Sequence, residues 1–382
     1  MNESADGRRR LAILTSVHPP LDMRVFDRQA RSMAAAGWDV LLIAPGAPAG
    51  TKDGVRFASL PTFGGRLGRP LRWPVLLWKA LHARPDIYHF HDPELLPLGV
   101  VLRWLSRRPV VYDSHEFLVE DIRGKHWIPR PIRGTVASLA GKVERWCSRR
   151  LSAVVVVTEE MRERFLPENP KTILVRNLVE NPNIPYPPDK RQPVVIYAGL
   201  MNVQRGLDIL YETASIVRSR NPEAEFHILG PVEWFGIPRR DRERPASEWA
   251  EVGVRFLGTI PPGEVPGRLA GASVGWLPLD PKVTNSLLAW PTKLTEYMIV
   301  GLPVVASDLP LPGRTIRDES CGVLVDGLDP EAHATAICEL LTDEEQARRL
   351  GEHGRRAALE RYSWAPEAQK LQSLYGQLVS FG

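Results

Sequence analysis

The chain has 382 residues, 43% of them hydrophobic and 25% charged, with a formal net charge of +4. That is enough for about two soluble domains of ~100–200 residues each. Its three scattered cysteines (Cys147, Cys321, Cys338), with no C-x-x-C, exclude a disulfide framework or a cysteine zinc site and fit a reducing cytoplasm. No uncharged stretch approaches the ~18 residues of a membrane span, and the opening apolar run is too short for a signal peptide. The expected location is therefore cytoplasmic, with any membrane met from its surface.

In chain order, "RLAILTS" is a short apolar run bounded by turn formers and predicts a strand. "FDRQARSMAAAG" predicts a helix stopped by Gly37, and "WDVLLIAP" a second strand. "DIYHFHD", "RRPVVYDSHE" and "LSAVVVVTEEM" follow as further strands. Near-continuous Val/Ile/Leu/Tyr strands separated by helices argue for a parallel sheet covered on both faces. Residues 179 to 193, "VENPNIPYPPDKRQP", hold five prolines, a density that forbids helix and central strand alike. They read as a linker.

The alternation then restarts with "VVIYAG", the helix "GLDILYETASIVRSR", "AEFHILG", "VRFLGTI", the helix "PGEVPGRLAGA", "VGWLPL", "PVVAS" and "GVLVDG". One long helix is expected through "PEAHATAICELLTDEEQARRLGEHGRRAALER", and an amphipathic one in the tail. The expected organisation is an α/β chain of two tandem doubly wound, Rossmann-like domains. The boundaries are 1–180, a linker at 181–193, 194–362, and a helix at 363–382 that crosses back to the first domain. Ligands of such sheets bind beyond the carboxyl ends of the strands, here in a cleft between the domains.

Three stretches carry chemistry. In "VVIYAGLMNVQRG" a strand ends at Gly199, and Arg205-Gly206 opens a helix. A helix N-terminus favours an anion, and Arg205 adds a bidentate donor; the bland reading is a solvated loop arginine. In "PTKLTEYMIVGLPVVASD", Thr292 is placed to cap a helix through its hydroxyl, with Lys293 at the first helical position and Glu296 one turn on. A cation at a helix N-terminus opposes the dipole and suggests a bound anion. Glu296 suits a vicinal diol such as a ribose, or else forms an ordinary i, i+3 surface pair with Lys293. In the first domain, two strands end in a His beside an acid, His91-Asp92 and His115-Glu116. His115 is a candidate hydroxyl or phosphate donor or acid/base group. A metal reading of His89, His91, Asp92 and His115 matches no known ligand spacing, and His89 reads as a packed residue.

This order of segments resembles the family 4 retaining glycosyltransferases, which have the two-domain GT-B fold and use a nucleotide-sugar donor. The run from Trp290 to Asp308 is the most specific part. "YHFHDPELLPLG…VVYDSHE" is similar to the bacterial subset that builds capsule, lipopolysaccharide and other exopolysaccharides. The resemblance implies a hexosyltransferase. Gly199 and Arg205 would hold the donor diphosphate, with the amides around Thr292, Lys293 and Leu294 cradling its phosphates. Glu296 would grip the ribose and His115 would approach the reacting carbon. It implies no metal or other cofactor.

Three departures stand out. The first Glu of the family's Glu-x(7)-Glu pair falls at Leu288, the basic residue that often follows the strand-end Gly is Leu200, and the first loop, "VHPPLDMR", lacks a Gly-Gly pair. Asp22 and Arg24 stand in that loop and are expected to face the cleft, with His91 and Glu116, toward the acceptor. Basic stretches with interleaved Trp, at 64–85 and 123–150, fit either docking on an anionic bilayer that carries a lipid-linked acceptor or solvated helix faces. Nucleic acid finds no recognition element here. The alternatives are a UDP-sugar 2-epimerase on the same fold, or a partner subunit without turnover.

Overall fold

The computed structural model describes residues 7–62, 68–125, 128–182, 191–283, 286–287 and 291–380. The chain divides into two compact units, Met1–Asn177 with Trp364–Gly382, and Leu178–Ser363. Much of the proline-rich stretch (183–190), and Leu288, lie outside the described residues.

The first unit is built on eight strands: β1 Arg10–Leu14, β2 Asp39–Pro45, β3 Thr51–Lys52, β4 Val55–Leu60, β5 Ile87–Phe90, β6 Val110–Ser114, β7 Ala153–Val156 and β8 Thr172–Leu174. They order as β3-β4-β2-β1-β5-β6-β7-β8, parallel except for β3, which runs antiparallel to β4. The central strands β1, β5, β6 and β7 are buried almost throughout, which is why their sequences read as unbroken apolar runs. β3, β4 and β8 fall outside the predicted elements. They lie at the margins of the sheet, carry exposed or half-buried positions and lack such a run.

One face of this sheet is covered by helix Met23–Ala30 and by the last helix, Trp364–Ser380. The last helix is fixed there by Arg176, which donates to the Glu367 carboxylate at 2.9 and 3.0 Å, and by Trp364 Nε1 donating to Ser32 Oγ at 2.7 Å. The other face carries helices Trp73–Ala83, Leu96–Ser106 and Arg130–Ser148. Gly99 lies against the Phe90 ring, where a Cβ would come within 2.5 Å.

The second unit has six parallel strands: β9 Val194–Ala198, β10 Glu225–Leu229, β11 Val254–Gly258, β12 Val274–Leu277, β13 Val304–Ser307 and β14 Gly322–Val325. Their order is β11-β10-β9-β12-β13-β14, with an apolar cluster on each face. The single long helix expected through residues 330–361 is two, Pro330–Thr342 and Glu344–Arg361. Asp343 (φ −97°, ψ 84°) leaves helical geometry and caps the second through the Gln346 amide, a role short acids favour over helix interiors.

Candidate active site

In the second unit, β9 ends at Gly199 with φ +116°, a conformation that favours glycine. A Cβ there would meet Lys293 Cε at 2.7 Å and Nζ at 2.9 Å, so the missing side chain is the space the ammonium occupies. Lys293 Nζ also lies 5.4 Å from the centre of the Tyr197 ring. Arg205 closes a 3-10 turn, Val203–Arg205, and donates to the Leu200 carbonyl at 2.9 Å. Gly206 (φ +78°) then opens helix Leu207–Arg220. Burial first, and the Arg205 charge second, push the Lys293 ammonium down to about 8, with Glu296 opposing them. Glu296 is half-buried.

What holds this group together is Tyr297, fully buried in the same helix. Its hydroxyl accepts the Ala198 amide at 3.2 Å and lies 3.3 Å from the Trp276 carbonyl, to which it donates. Its ring rests on Gly275, where a Cβ would clash at 2.7 Å. The helix carrying Lys293 and Glu296 is thereby pinned to the ends of β9 and β12. Two expectations need correction. Helix Thr292–Ile299 starts one residue early: Pro291, with extended ψ, takes the N-cap position, and Thr292 makes no side-chain cap. The Leu294 amide is bonded to the Pro291 carbonyl at 3.0 Å and its side chain is in the core, so the amides of Thr292 and Lys293 are the ones left at the helix mouth.

In the first unit, β1, β5 and β6 lie side by side, so the loops after them meet. His89, His91 and Asp113 are completely buried and project from one face of the sheet. Asp113 is the centre of this group. Arg24 Nη2 donates to both its oxygens (2.9 and 2.8 Å), and Gln29 Nε2 to Oδ2 (2.6 Å). His89 Nε2 and His115 Nδ1 each lie 3.5 Å from it, and His91 Nδ1 lies 3.8 Å away. Burial opposes the charge on Asp113, but Arg24, followed by His115 and His89, holds the carboxyl well below its ordinary range. Burial lowers both His89 and His91, His91 the more.

The expectation that Arg24 and His91 face the acceptor is thus corrected. Arg24 is committed to Asp113, because an unpaired charge in that interior would be costly, and His91 is sealed beneath the loops. Asp22 is half-buried and caps helix Met23–Ala30 through the Arg24 and Val25 amides, while Glu116 is exposed. The metal reading is also altered. The nitrogen and oxygen ligands that converge belong to His89, His91 and Asp113, whereas Asp92 turns to Thr15 and Ser16. Arg24 already occupies the Asp113 carboxylate, so this set does not suit a metal.

Two residues at the site escape the sequence reading. His18 stands with its ring centre 5.2 Å from that of His115, held between Asp22 (3.5 Å) and Asp92 (3.4 Å). Burial works against its charge, but the hydrogen bond it donates to Asp22 and the Asp92 charge outweigh it and raise its pKa. Nothing in "VHPPLDMR" separates this His from a loop residue. Asp113 could have been found: it lies two positions before His115, and a strand's period of two puts both on one face.

The basic stretches also rearrange. Residues 63–67 and 126–127 lie outside the described residues. Arg72 is buried and donates to the Ser16 carbonyl at 2.7 Å, while Arg69 pairs with Glu94. In the first stretch Leu71 and Trp78 are exposed, and further exposed apolar side chains lie on two neighbouring helices, Leu96–Ser106 and, within the second stretch, Arg130–Ser148. Ile132, Val136, Leu139, Val143 and Trp146 are all exposed at heptad-like spacing. Trp104, 77% exposed, and Trp146 line a groove of about 780 Å³ with Arg103, Arg107 and Arg150. Among the described residues no helix is long and apolar enough to cross a membrane.

Residues 24–175 match the Glycosyl transferase 4-like domain, and residues 192–343 match Glycosyl transferases group 1. The chain is 26% identical over 355 residues to D-inositol 3-phosphate glycosyltransferase of Corynebacterium diphtheriae, covering 86% of this chain and 78% of that protein. It is 22% identical over 377 residues to phosphatidyl-myo-inositol mannosyltransferase of Mycobacterium leprae, covering 92% of each. Among solved structures it is similar to sucrose-phosphate synthase from Thermosynechococcus elongatus, with a TM-score of 0.75, 21% identity, and 98% and 100% of the two chains covered. A paired match to both domain models across most of the chain, on two parallel-sheet units, places this protein among the group 1, family 4 glycosyltransferases of GT-B fold.

Proposed function

We propose that the protein is a retaining hexosyltransferase that takes a sugar from a nucleotide-diphosphate donor, UDP-linked rather than GDP-linked, and passes it to a glycan or lipid-linked acceptor in cell-surface polysaccharide synthesis. The observation that carries this reading is the meeting of two cations, Lys293 and Arg205, where β9 ends in a glycine and two helices begin. Like charges brought together in a partly desolvated site call for an anion, and a diphosphate is one that helix N-termini and arginine bind well. Glu296, one turn in, accepts from the ribose hydroxyls.

During transfer, negative charge grows on the leaving diphosphate. Arg205, Lys293 and the Thr292 and Lys293 amides stabilise it from fixed positions. These fixed charges take the electrostatic role of a divalent ion, so the reaction runs without one. The leaving phosphate itself takes the proton of the acceptor hydroxyl on the face it departs from, and His115 meets the transferred sugar. The exposed Trp104 and Trp146, with Arg103, Arg107 and Arg150 around them, dock the protein on an anionic membrane surface where a polyprenyl-diphosphate-linked acceptor lies. The namesake substrates of the mycobacterial and corynebacterial relatives are lipid- or phosphate-bearing inositols, chemistry of the same kind.

The test is a thermal-shift and turnover panel of UDP- and GDP-sugars, with and without EDTA. A UDP-sugar is expected to raise the melting temperature and to be hydrolysed or transferred, with EDTA making no difference. Binding of UDP without turnover of any donor on any lipid extract would leave a partner subunit as the reading. Stabilisation by no nucleotide at all would overturn the donor site.

A further inference from the structure

We infer that Asp113 is the positioning residue of His115. Its buried carboxylate keeps the His115 proton on Nδ1 and leaves Nε2, on the far side of the ring, as a bare acceptor, and the C-terminal helix supports it through Tyr375 and His89. This rests on the proposed reading of His115 as the residue that meets the transferred sugar.

Arg24 Nε and Nη2 and Gln29 Nε2 donate to Asp113 at 2.6 to 3.2 Å and fix it as an anion. An ionised carboxylate only accepts, so an imidazole nitrogen facing it is favoured when it carries the hydrogen. His89 has neighbours at both of its nitrogens. Tyr375 Oη lies 2.5 Å from Nδ1, and Asp113 Oδ2 lies 3.5 Å from Nε2. One arrangement avoids setting a lone pair against the carboxylate: the Tyr375 hydroxyl donates to Nδ1, and the Nε2 hydrogen faces Asp113.

The same rule applied to His115 places its hydrogen on the buried Nδ1, 3.5 Å from Asp113 Oδ1. Its other nitrogen then accepts from a sugar hydroxyl. The carboxylate is shared out in an orderly way. Oδ1 serves Arg24 and His115, while Oδ2 serves Arg24, Gln29 and His89. Tyr375 is completely buried and belongs to helix Trp364–Ser380, so the end of the chain helps set a nitrogen at the strand ends.

The experiment is long-range 1H–15N NMR of the full chain labelled in histidine, joined to steady-state kinetics with the donor that is active in the panel. In the wild type, His115 is expected to be protonated on Nδ1. In Asp113→Asn the proton should redistribute to Nε2 and kcat should fall by about 10²-fold, below the ~10⁴ recorded when a serine-protease histidine is left in the wrong tautomer. Donor KM should change by less than kcat falls.

Asp113→Asn strands Arg24, so its melting curve is read alongside. Tyr375→Phe removes one oxygen, leaves the Arg24–Asp113 pair intact, and should shift the His89 tautomer and lower kcat several-fold. A wild-type His115 protonated on Nε2 overturns the inference, as does a folded Asp113→Asn that keeps Nδ1–H or full kcat. If Asp113→Asn does not fold, the wild-type tautomer and Tyr375→Phe decide. A His115→Ala variant with unaltered kcat would instead sink the sugar-contact reading and leave the tautomer result standing.

Discussion

The two units present their polar residues in opposite states. In the first, Asp113 is surrounded by an arginine, a glutamine and three histidines, all buried except His115, which is partly exposed. In the second, Lys293 lies against a strand-end glycine within the field of Arg205, and burial and that like charge weaken its hold on its proton. The first arrangement neutralises its carboxylate from within, through Arg24 and Gln29. The second is organised for an anion supplied from outside. The difference separates residues that position from residues that bind.

Substitutions should break this contrast unequally. The largest effect belongs to the first unit. Arg24→Met leaves Asp113 buried and unpaired and should cost about 3–5 kcal/mol of stability, read as a lower denaturant midpoint. Next is Glu296→Ala, which removes the ribose acceptor. It should weaken donor binding by about 1.5–3 kcal/mol, the range for hydrogen bonds to a charged group, while the melting temperature of the free protein changes little. Unaltered donor affinity would remove Glu296 from the site.

A smaller effect is pH dependence, and its direction differs between the units. A diphosphate binds the protonated Lys293, whose pKa is lowered to about 8. Donor affinity should therefore be flat below that value and fall by up to about tenfold per pH unit above it. Asp113 titrates in the other direction. Its carboxyl is held well below the ordinary range, so its contribution to stability is in place above the usual carboxylate range and is lost as the pH falls far beneath it. The smallest effect is at the surface. Arg103→Ala should lower binding to anionic vesicles by about 1 kcal/mol and leave donor binding unchanged. Equal binding to neutral vesicles would argue against an electrostatic dock.

The second unit was the more legible in sequence, for a physical reason. Its site is built from a few consecutive residues, "YAGL", "RG" and "TKLTEY", placed by strand ends and helix starts that follow from local pattern alone. Two details there were hidden. A proline took the cap position expected of Thr292, and the anchoring role of Tyr297 depends on Gly275, some twenty residues away. The site of the first unit is assembled over much longer separations, from Arg24, His89, Asp113 and Tyr375. No short-range pattern joins them, so Arg24 read as a cleft residue and His18 as nothing. The sheet order was legible only in its buried centre. The marginal strands β4 and β8 lack the apolar signal because one side of each is partly exposed.

Whether the second unit holds a diphosphate with Lys293 and Arg205 is decided by calorimetric titration of UDP into the wild type, Lys293→Met, Arg205→Met and the double variant at pH 7. Each single variant is expected to lose at least about tenfold in affinity, as for a charged hydrogen bond. The double variant should lose less than the product of the two, because each cation relieves the other's repulsion once it is gone. Undiminished UDP affinity in both single variants would remove the diphosphate from this site.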